Sequence, residues 1–458
     1  MAEVKEKKKL GVAEMAAYGI GNCIGSGIFV SMGVGIGYTG KSIPLALIIA
    51  NIVVFFAYFY KSLMAGMFTM PGGRYSQTAL IQPPILVGFS AISLIFSGLA
   101  FAMYGLSVVD YAATVFPQIE PYRNLIAVAI ITLFFATTLL GGKFMGKFNM
   151  IMVVVLVISL IVYIAVGLPE VNLEAVRPTS DGYFTGGFMG LFMAIAVMSF
   201  ACQGSTMPID MTSDAKNPKK TLPKAIIVSS LVVLIVYTLI GIVSVGVVPV
   251  ENVADKNLGV VAKEIFPYPV FVVFIIGGAC FAIATSLYST IAGIRYPLMA
   301  AVNDGWLPAF LGKKTKKDYP YVIMLLLYII AIVSIFVDFG LQELISIMMI
   351  PTMILNTINN ILVLRPIKNY PHAWKTSFFR MPKWALYIAV AVSTLCSLFI
   401  TACLFTTLSV RDRILIVIVV IFIFAYSFYR LKAGKVDLHE IEAAKAEAEK
   451  AAEIDEGK

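Results

Sequence analysis

The stretch "GNCIGSGIFVSMG", residues 21–33, decides how the rest of the chain is read. It sits inside an apolar run long enough to cross a bilayer, yet it holds four glycines, an Asn and two Ser. Glycine is among the poorest helix formers, and hydrocarbon offers no water to an unpaired backbone group. Irregular backbone is tolerated at that depth only where it is buried in protein or lines a cavity. The stretch therefore predicts an internal site within the membrane.

A second interruption matches it. Residues 198–210, "MSFACQGSTMPID", place Cys-Gln-Gly-Ser-Thr in mid-span and then Pro208. Two Gly- or Pro-interrupted spans at corresponding places of two halves point to a transporter built from inverted repeats. A small-residue packing motif, Gly21-x-x-x-Gly25, explains the first interruption alone but not the pair.

The surrounding sequence agrees with a membrane setting. Apolar residues make up 59% of the 458, charged residues 13%, and mean hydropathy is +0.90. Twelve apolar runs follow one another, at 15–38, 43–68, 85–112, 124–140, 149–168, 188–210, 225–247, 269–303, 321–339, 343–364, 384–408 and 414–430. Each approaches or exceeds the roughly 20 residues that cross a bilayer. The fold class expected is an all-α membrane protein of twelve transmembrane helices. A cytoplasmic N-terminus covers 1–14, a first repeat 15–168 and an inverted second repeat 188–364. Two further C-terminal helices at 384–430 and a charged cytoplasmic tail at 431–458 complete this 5+5 arrangement, with helices 1 and 6 discontinuous.

The net charge of +9 is a topology signal and implies no nucleic-acid partner. Basic clusters at Lys5/Lys7/Lys8/Lys9, Lys216/Lys219/Lys220/Lys224 and Lys313/Lys314/Lys316/Lys317 fall in segments on one side. The opposite loops hold only Lys41, Arg123, Arg177, Lys256, Lys263, Arg411 and Arg413. The positive-inside rule then puts both termini in the cytoplasm of a multi-pass plasma-membrane protein. No cleavable signal peptide is expected, since the first apolar run is too long and lacks a cleavage pattern. The five cysteines all lie within predicted spans without metal-ligand spacing.

Four motifs in order resemble the amino acid–polyamine–organocation (APC) superfamily, from about Glu14 to Tyr429. They are "GNCIGSGIF", "PGGRYSQT" at 71–78, "DAKNPKKTLPKAI" at 214–226 and "NDGWLP" at 303–308. The resemblance implies the LeuT-type inverted-repeat fold and an amino acid carrier working by alternating access. It implies a carboxylate seat at the amides of Ser26 and Gly27. The substrate ammonium would go to carbonyls of Cys23, Phe200 and Gln203, with Gly25, Ala201 and Gly204 completing the site and Phe200 as a gate. No acid stands at mid-membrane depth in the candidate site spans to recognise a cationic side chain, because Glu14, Asp110, Asp210, Asp304 and Glu343 fall near span ends. Lys61 and Arg295, the intramembrane bases, both sit toward the cytoplasmic half and are expected to snorkel or pair at the interface. A neutral L-amino acid is the expected substrate.

Coupling is read from what is missing. Many proton-coupled or ion-independent relatives carry a helix-5 lysine; here Leu156 occupies that position. The adjacent hydroxyls of "TSLYSTIAGIRYP", residues 285–297, resemble those of sodium-coupled members. Ser289 and Thr290, with carbonyls of Ser286, Gly21 and Ile24, would bind a sodium ion, a hard cation that takes oxygen ligands. Sodium symport is thus expected, with sodium-independent exchange and proton coupling as alternatives. No other cofactor is implied. An enzyme is disfavoured, because no intramembrane His and no acid pair supply a catalytic constellation. An accessory subunit linked through an extracellular cysteine is disfavoured because no Cys falls in an outer loop.

Overall fold

The computed structural model describes residues 9–437 except 71–72, 141–142, 175, 181, 317–318 and 338, together with residues 442 and 446. Most of the charged tail and the basic start of the chain lie outside these residues, as do Pro71 and Gly72 of the second motif. Ser26 is placed in its helix, but its side chain is not described.

The chain is helical throughout, with one isolated bridge between Leu10 and Ala215 among the described residues. It opens with α1 (Val12–Cys23), a π turn (Ile24–Ile28) and α2 (Phe29–Thr39). A 3₁₀ turn at Gly40, where φ is +61°, leads into α3 (Ile43–Ala57) and α4 (Phe59–Met67), which meet in a kink at Tyr58. Then come α5 (Gly73–Ile81), α6 (Pro84–Ser93), α7 (Ser97–Val115), α8 (Arg123–Leu140) and α9 (Lys143–Gly167). The second half opens with α10 (Gly187–Cys202), which tightens into a 3₁₀ segment, Gln203–Asp214. Next is α11 (Pro218–Gly246), whose start is fixed by Asn217 in the left-handed region and Pro218 in the first turn. The rest comprises α12 (Val250–Val253), α13 (Gly259–Ile265), α14 (Tyr268–Val273), α15 (Phe281–Asn303), α16 (Tyr321–Phe336), α17 (Leu341–Leu362), α18 (Leu364–Asn369), α19 (Pro371–Lys375), α20 (Lys383–Thr407) and α21 (Val410–Lys432).

Ten helical lengths among the described residues are long and apolar enough to cross a membrane, and α16 is a shorter apolar helix. Their outer faces carry exposed apolar stripes at helical spacing: Ile151, Val154, Ile158 and Ile161 on α9, and Ile414, Ile418, Ile421 and Phe422 on α21. In water such stripes would drive aggregation; in a bilayer they are solvated by lipid. This is a multi-pass membrane protein. Transfer from water supplies little of its internal packing energy, since lipid tails are as apolar as Leu. Close contact between small residues and interhelical hydrogen bonds supply it instead.

Both interruptions read from the sequence coincide with irregular helix, but neither is an unwound gap. Cys23, Ile24, Ile28 and Phe29 all keep right-handed helical angles. The chain absorbs its glycines as a π turn, so no free half-helix N-terminus is exposed at Gly27. The physical reason is the cost of unpaired backbone in an apolar interior, which a wider helical turn avoids. In the second interruption, Gly204 and Pro208 are accommodated by 3₁₀ winding that is broken by a kink at Met211, where φ is −103° and ψ 25°.

Candidate functional site

Two glycines set how closely the irregular segments cross. A Cβ on Gly27 would fall 2.6 Å from Ala201 Cβ and 2.8 Å from its carbonyl oxygen. A Cβ on Gly204 would fall 2.6 Å from the backbone N of Cys23. Only hydrogen fits at either place. Side chains then stitch the crossing. The Tyr237 hydroxyl, reaching in from α11, donates to the Cys23 carbonyl at 2.6 Å and lies 3.3 Å from that of Ala201. The Cys23 thiol donates to the Cys202 carbonyl at 3.5 Å. The Gln203 carbonyl accepts from Thr206 Oγ1 at 3.1 Å, and Gln203 Oε1 accepts from the Tyr58 hydroxyl at 2.8 Å.

Cavities flank this crossing on two sides. One, of about 260 Å³, is lined by Tyr18 and Asn22 before the π turn, by Phe200 and Gln203, and by Ser289 and Thr290. It extends to Lys61 and to Arg74 and Asp210, an ion pair whose side chains are 34% and 31% exposed. The other, of about 310 Å³, is lined by Phe29 and Gly33 beyond the π turn, by Asp110 and Tyr111, and by Asp255–Asn257. The Asp255 segment is drawn tightly over α2: its amide donates to the Gly33 carbonyl at 2.9 Å. Asn257 Nδ2 donates to the Asp110 carbonyl at 3.1 Å, and the Tyr111 hydroxyl donates to that of Phe29 at 2.9 Å. Partial burial raises the Asp255 carboxyl above its ordinary value.

The hydroxyls of α15 divide between back-bonded and free, and Ser107, Ser230, Ser393 and Ser427 elsewhere are also buried without a partner. Ser31, Ser199, Ser229, Ser244 and Thr238 each donate to the carbonyl four residues back. Thr285 likewise bonds the Ala282 carbonyl at 2.7 Å. Ser286 Oγ is buried without a partner and sits against Gly25 of the π turn. Ser289 and Thr290, one turn on, make no protein hydrogen bond among the described residues and face the first cavity. An orphaned buried hydroxyl costs about 1–3 kcal/mol unless a ligand meets it. Gly21 has open space on its Cβ side, with nothing within 4 Å.

The expected site residues therefore separate into two groups. Phe200, Gln203, Ser289 and Thr290 line the first cavity; Cys23, Ile24, Gly25, Gly27, Ala201, Gly204 and Ser286 form the buried wall behind it, with Gly21 half-buried. The carbonyls of Cys23 and Gln203 already accept hydroxyl protons from Tyr237 and Thr206. Leu156 is buried in the apolar core. Lys61 departs from expectation: it lines the cavity, with Nζ 4.3 Å from the Tyr58 ring centroid, instead of snorkelling away. Arg295 does not line the cavity and stacks on Tyr296 and Tyr319.

Sequence reasoning missed three further parts. Tyr237 reads as an ordinary residue of an apolar run. The Arg74–Asp210 pair joins residues 136 positions apart. The third, "NTINN" at 356–360, carried a usable signal: three Asn in a membrane helix. Asn360 Oδ1 accepts the Tyr60 amide at 3.2 Å across the Tyr58 kink, and its Nδ2 donates to Ala57 and Ser393 carbonyls at 3.0 and 3.1 Å. Gln82 Nε2 donates to Asn359 Oδ1 at 2.7 Å, and the Tyr60 hydroxyl donates to Asn356 Oδ1 at 3.1 Å.

A helical membrane protein with two close-packed irregular segments between opposed polar cavities has the make-up of a small-molecule permease. Comparison with known proteins agrees: residues 10–424 match the family model described as amino acid permease, and the chain belongs to that family. The family fits the APC superfamily and points to a transporter, not an enzyme. A branched-chain amino acid permease of Bacillus subtilis is 26% identical over 338 residues, covering 69% of this chain and 72% of the relative. Its Lactococcus lactis namesake is 26% identical over 346 residues, covering 70% and 74%. An uncharacterized protein of Methanocaldococcus jannaschii is 27% identical over 321 residues, covering 68% and 72%.

Proposed function

We propose that this permease carries neutral L-amino acids by sodium-coupled symport, through alternating access. It would do so in the plasma membrane with both termini cytoplasmic and twelve spans in a 5+5 inverted repeat plus two. The observation that carries the coupling is the pair of hydroxyls on α15, Ser289 and Thr290, that make no hydrogen bond among the described residues and face the first cavity. Hydroxyls that decline the usual back-bond leave oxygen free for a hard cation. With the carbonyls of Gly21, Ile24 and Ser286 they would hold sodium. The substrate carboxylate would take the Ser26 and Gly27 amides once the π turn opens, its ammonium the carbonyls of Cys23, Phe200 and Gln203. Gly25, Ala201 and Gly204 would keep that seat narrow. Relatives named for branched-chain amino acids support a neutral substrate.

Purified protein in liposomes, supplied with labelled amino acids with and without a sodium gradient, tests this. Uptake should follow the gradient, and Ser289→Ala with Thr290→Ala should abolish that dependence. Sodium-independent uptake that requires internal substrate would establish exchange instead.

A further inference from the structure

The first cavity has an unbalanced charge. Its described lining includes Lys61, Arg74 and Asp210. Both Asp210 oxygens are taken by Arg74: Nε donates at 3.1 and 2.9 Å, and the Arg74 amide adds 3.2 Å to Oδ1. That pair is neutral as a unit. Lys61 has no carboxylate within ion-pair distance among the described residues and rests on the Tyr58 ring. The other titratable groups lining the same space, Tyr18, Tyr58, Tyr60, Tyr75 and Tyr104, are phenols, neutral at physiological pH. With Lys61 protonated, the cavity carries one net positive charge within low-dielectric walls, where fields are focused.

Lys61 is also coupled to the crossing. Its ammonium lies over the ring whose hydroxyl holds Gln203 Oε1, so the charge is anchored beside the irregular segment. We propose that Lys61 is a charge filter, the residue that excludes amino acids with cationic side chains from this permease. It rests on the amino-acid carrier proposed above and adds what that carrier rejects. A neutral zwitterion has no net charge for the filter to oppose, whereas lysine or arginine brings a second positive charge to the cavity. Two like charges about 10 Å apart at an effective dielectric of about 20 discriminate by roughly tenfold or more.

Two experiments on the full chain test it. In the first, Ser97, which lines the cavity, is replaced (Ser97→Cys) and its modification by cationic and neutral thiol reagents is timed, with the background of the native cysteines subtracted. With Lys61 present, the cationic reagent should react roughly tenfold more slowly relative to the neutral one; Lys61→Met should abolish that ratio and Lys61→Arg keep it. Should Lys61→Met not fold, Lys61→His serves, excluding cations at pH 5.5 and admitting them at pH 8. A ratio that ignores the charge at position 61 overturns the filter, whatever the substrate proves to be. In the second, unlabelled arginine and lysine compete with labelled leucine for uptake. They should fail against the wild type and compete at roughly tenfold lower concentration against Lys61→Met. A wild type that accepts arginine overturns filter and neutral-substrate proposal together. Neutral uptake without sodium overturns only the coupling.

Discussion

The crossing at Gly27 allows a quantitative test by a single methyl group. In Gly27→Ala the new Cβ would stand 2.6 Å from Ala201 Cβ and 2.8 Å from Ala201 O, and nearer still to Ala201 Cα. Carbon atoms in good contact sit about 3.5–4.0 Å apart, so the overlap is roughly 1 Å. The obstacle is the backbone of α10, which has no rotamer to change. The two segments must separate, at about 1–3 kcal/mol for overpacking of this kind. Removing a glycine from a helix returns up to about 1 kcal/mol. With the full return, the net expectation is a loss of up to about 2 kcal/mol, with a matching fall in maximal uptake. Gly21→Ala is the control, because its Cβ meets nothing within 4 Å and it should be neutral or slightly stabilising. Thermal unfolding of the purified variants, alongside uptake at saturating substrate, measures both. Equal stability of the Gly27 and Gly21 variants would refute the close crossing.

Tyr237→Phe removes the hydroxyl that meets the Cys23 and Ala201 carbonyls, and should lower stability by about 1–3 kcal/mol in the same unfolding assay. Asn360→Leu strands the Tyr60 amide and the Ala57 carbonyl at the α3–α4 kink; it should destabilise by at least as much and speed hydrogen exchange of the Tyr60 amide. Asp255 has a folded-state carboxyl raised by burial, so the native protein binds its proton more tightly than the unfolded chain. Its contribution to stability is therefore present below the ordinary carboxylate range and lost as pH rises through the raised value. A pH series of unfolding temperatures from 4 to 7 should decline more steeply for wild type than for Asp255→Asn.

How far the sequence could be read depended on the range of the interaction. Apolar runs announced the helices, because a residue's preference for lipid is its own property. The glycines at 25, 27 and 204 and the hydroxyls at 289 and 290 marked the places where regular, lipid-facing helix makes no sense. What they marked was legible as irregular, but its form was not. A π turn and an unwound gap ask for the same residues locally, and the neighbours packed against the glycines, Ala201 and Ser286, lie far away in the chain. Tyr237 is invisible for the same reason: its partner Cys23 lies 214 residues away. Lys61 was visible as a charge in a span, but its direction was not. A four-carbon stem reaches the interface or the interior equally well, and the Tyr58 kink turns it inward.

The two cavities lie on either side of the π turn, one lined by Asn22 and Phe200 and the other by Phe29 and Gly33. Electrically, this makes the partition thin. A voltage applied across a membrane falls mainly where no mobile ions can follow it, so with both cavities water-filled the drop would concentrate near Ile24–Ile28. A charge transferred across that partition crosses nearly the whole potential in one short step, worth about 2.3 kcal/mol per 100 mV. Net charge movement would thus be confined to the rearrangement of this partition, and membrane voltage would act on transport almost entirely at that step.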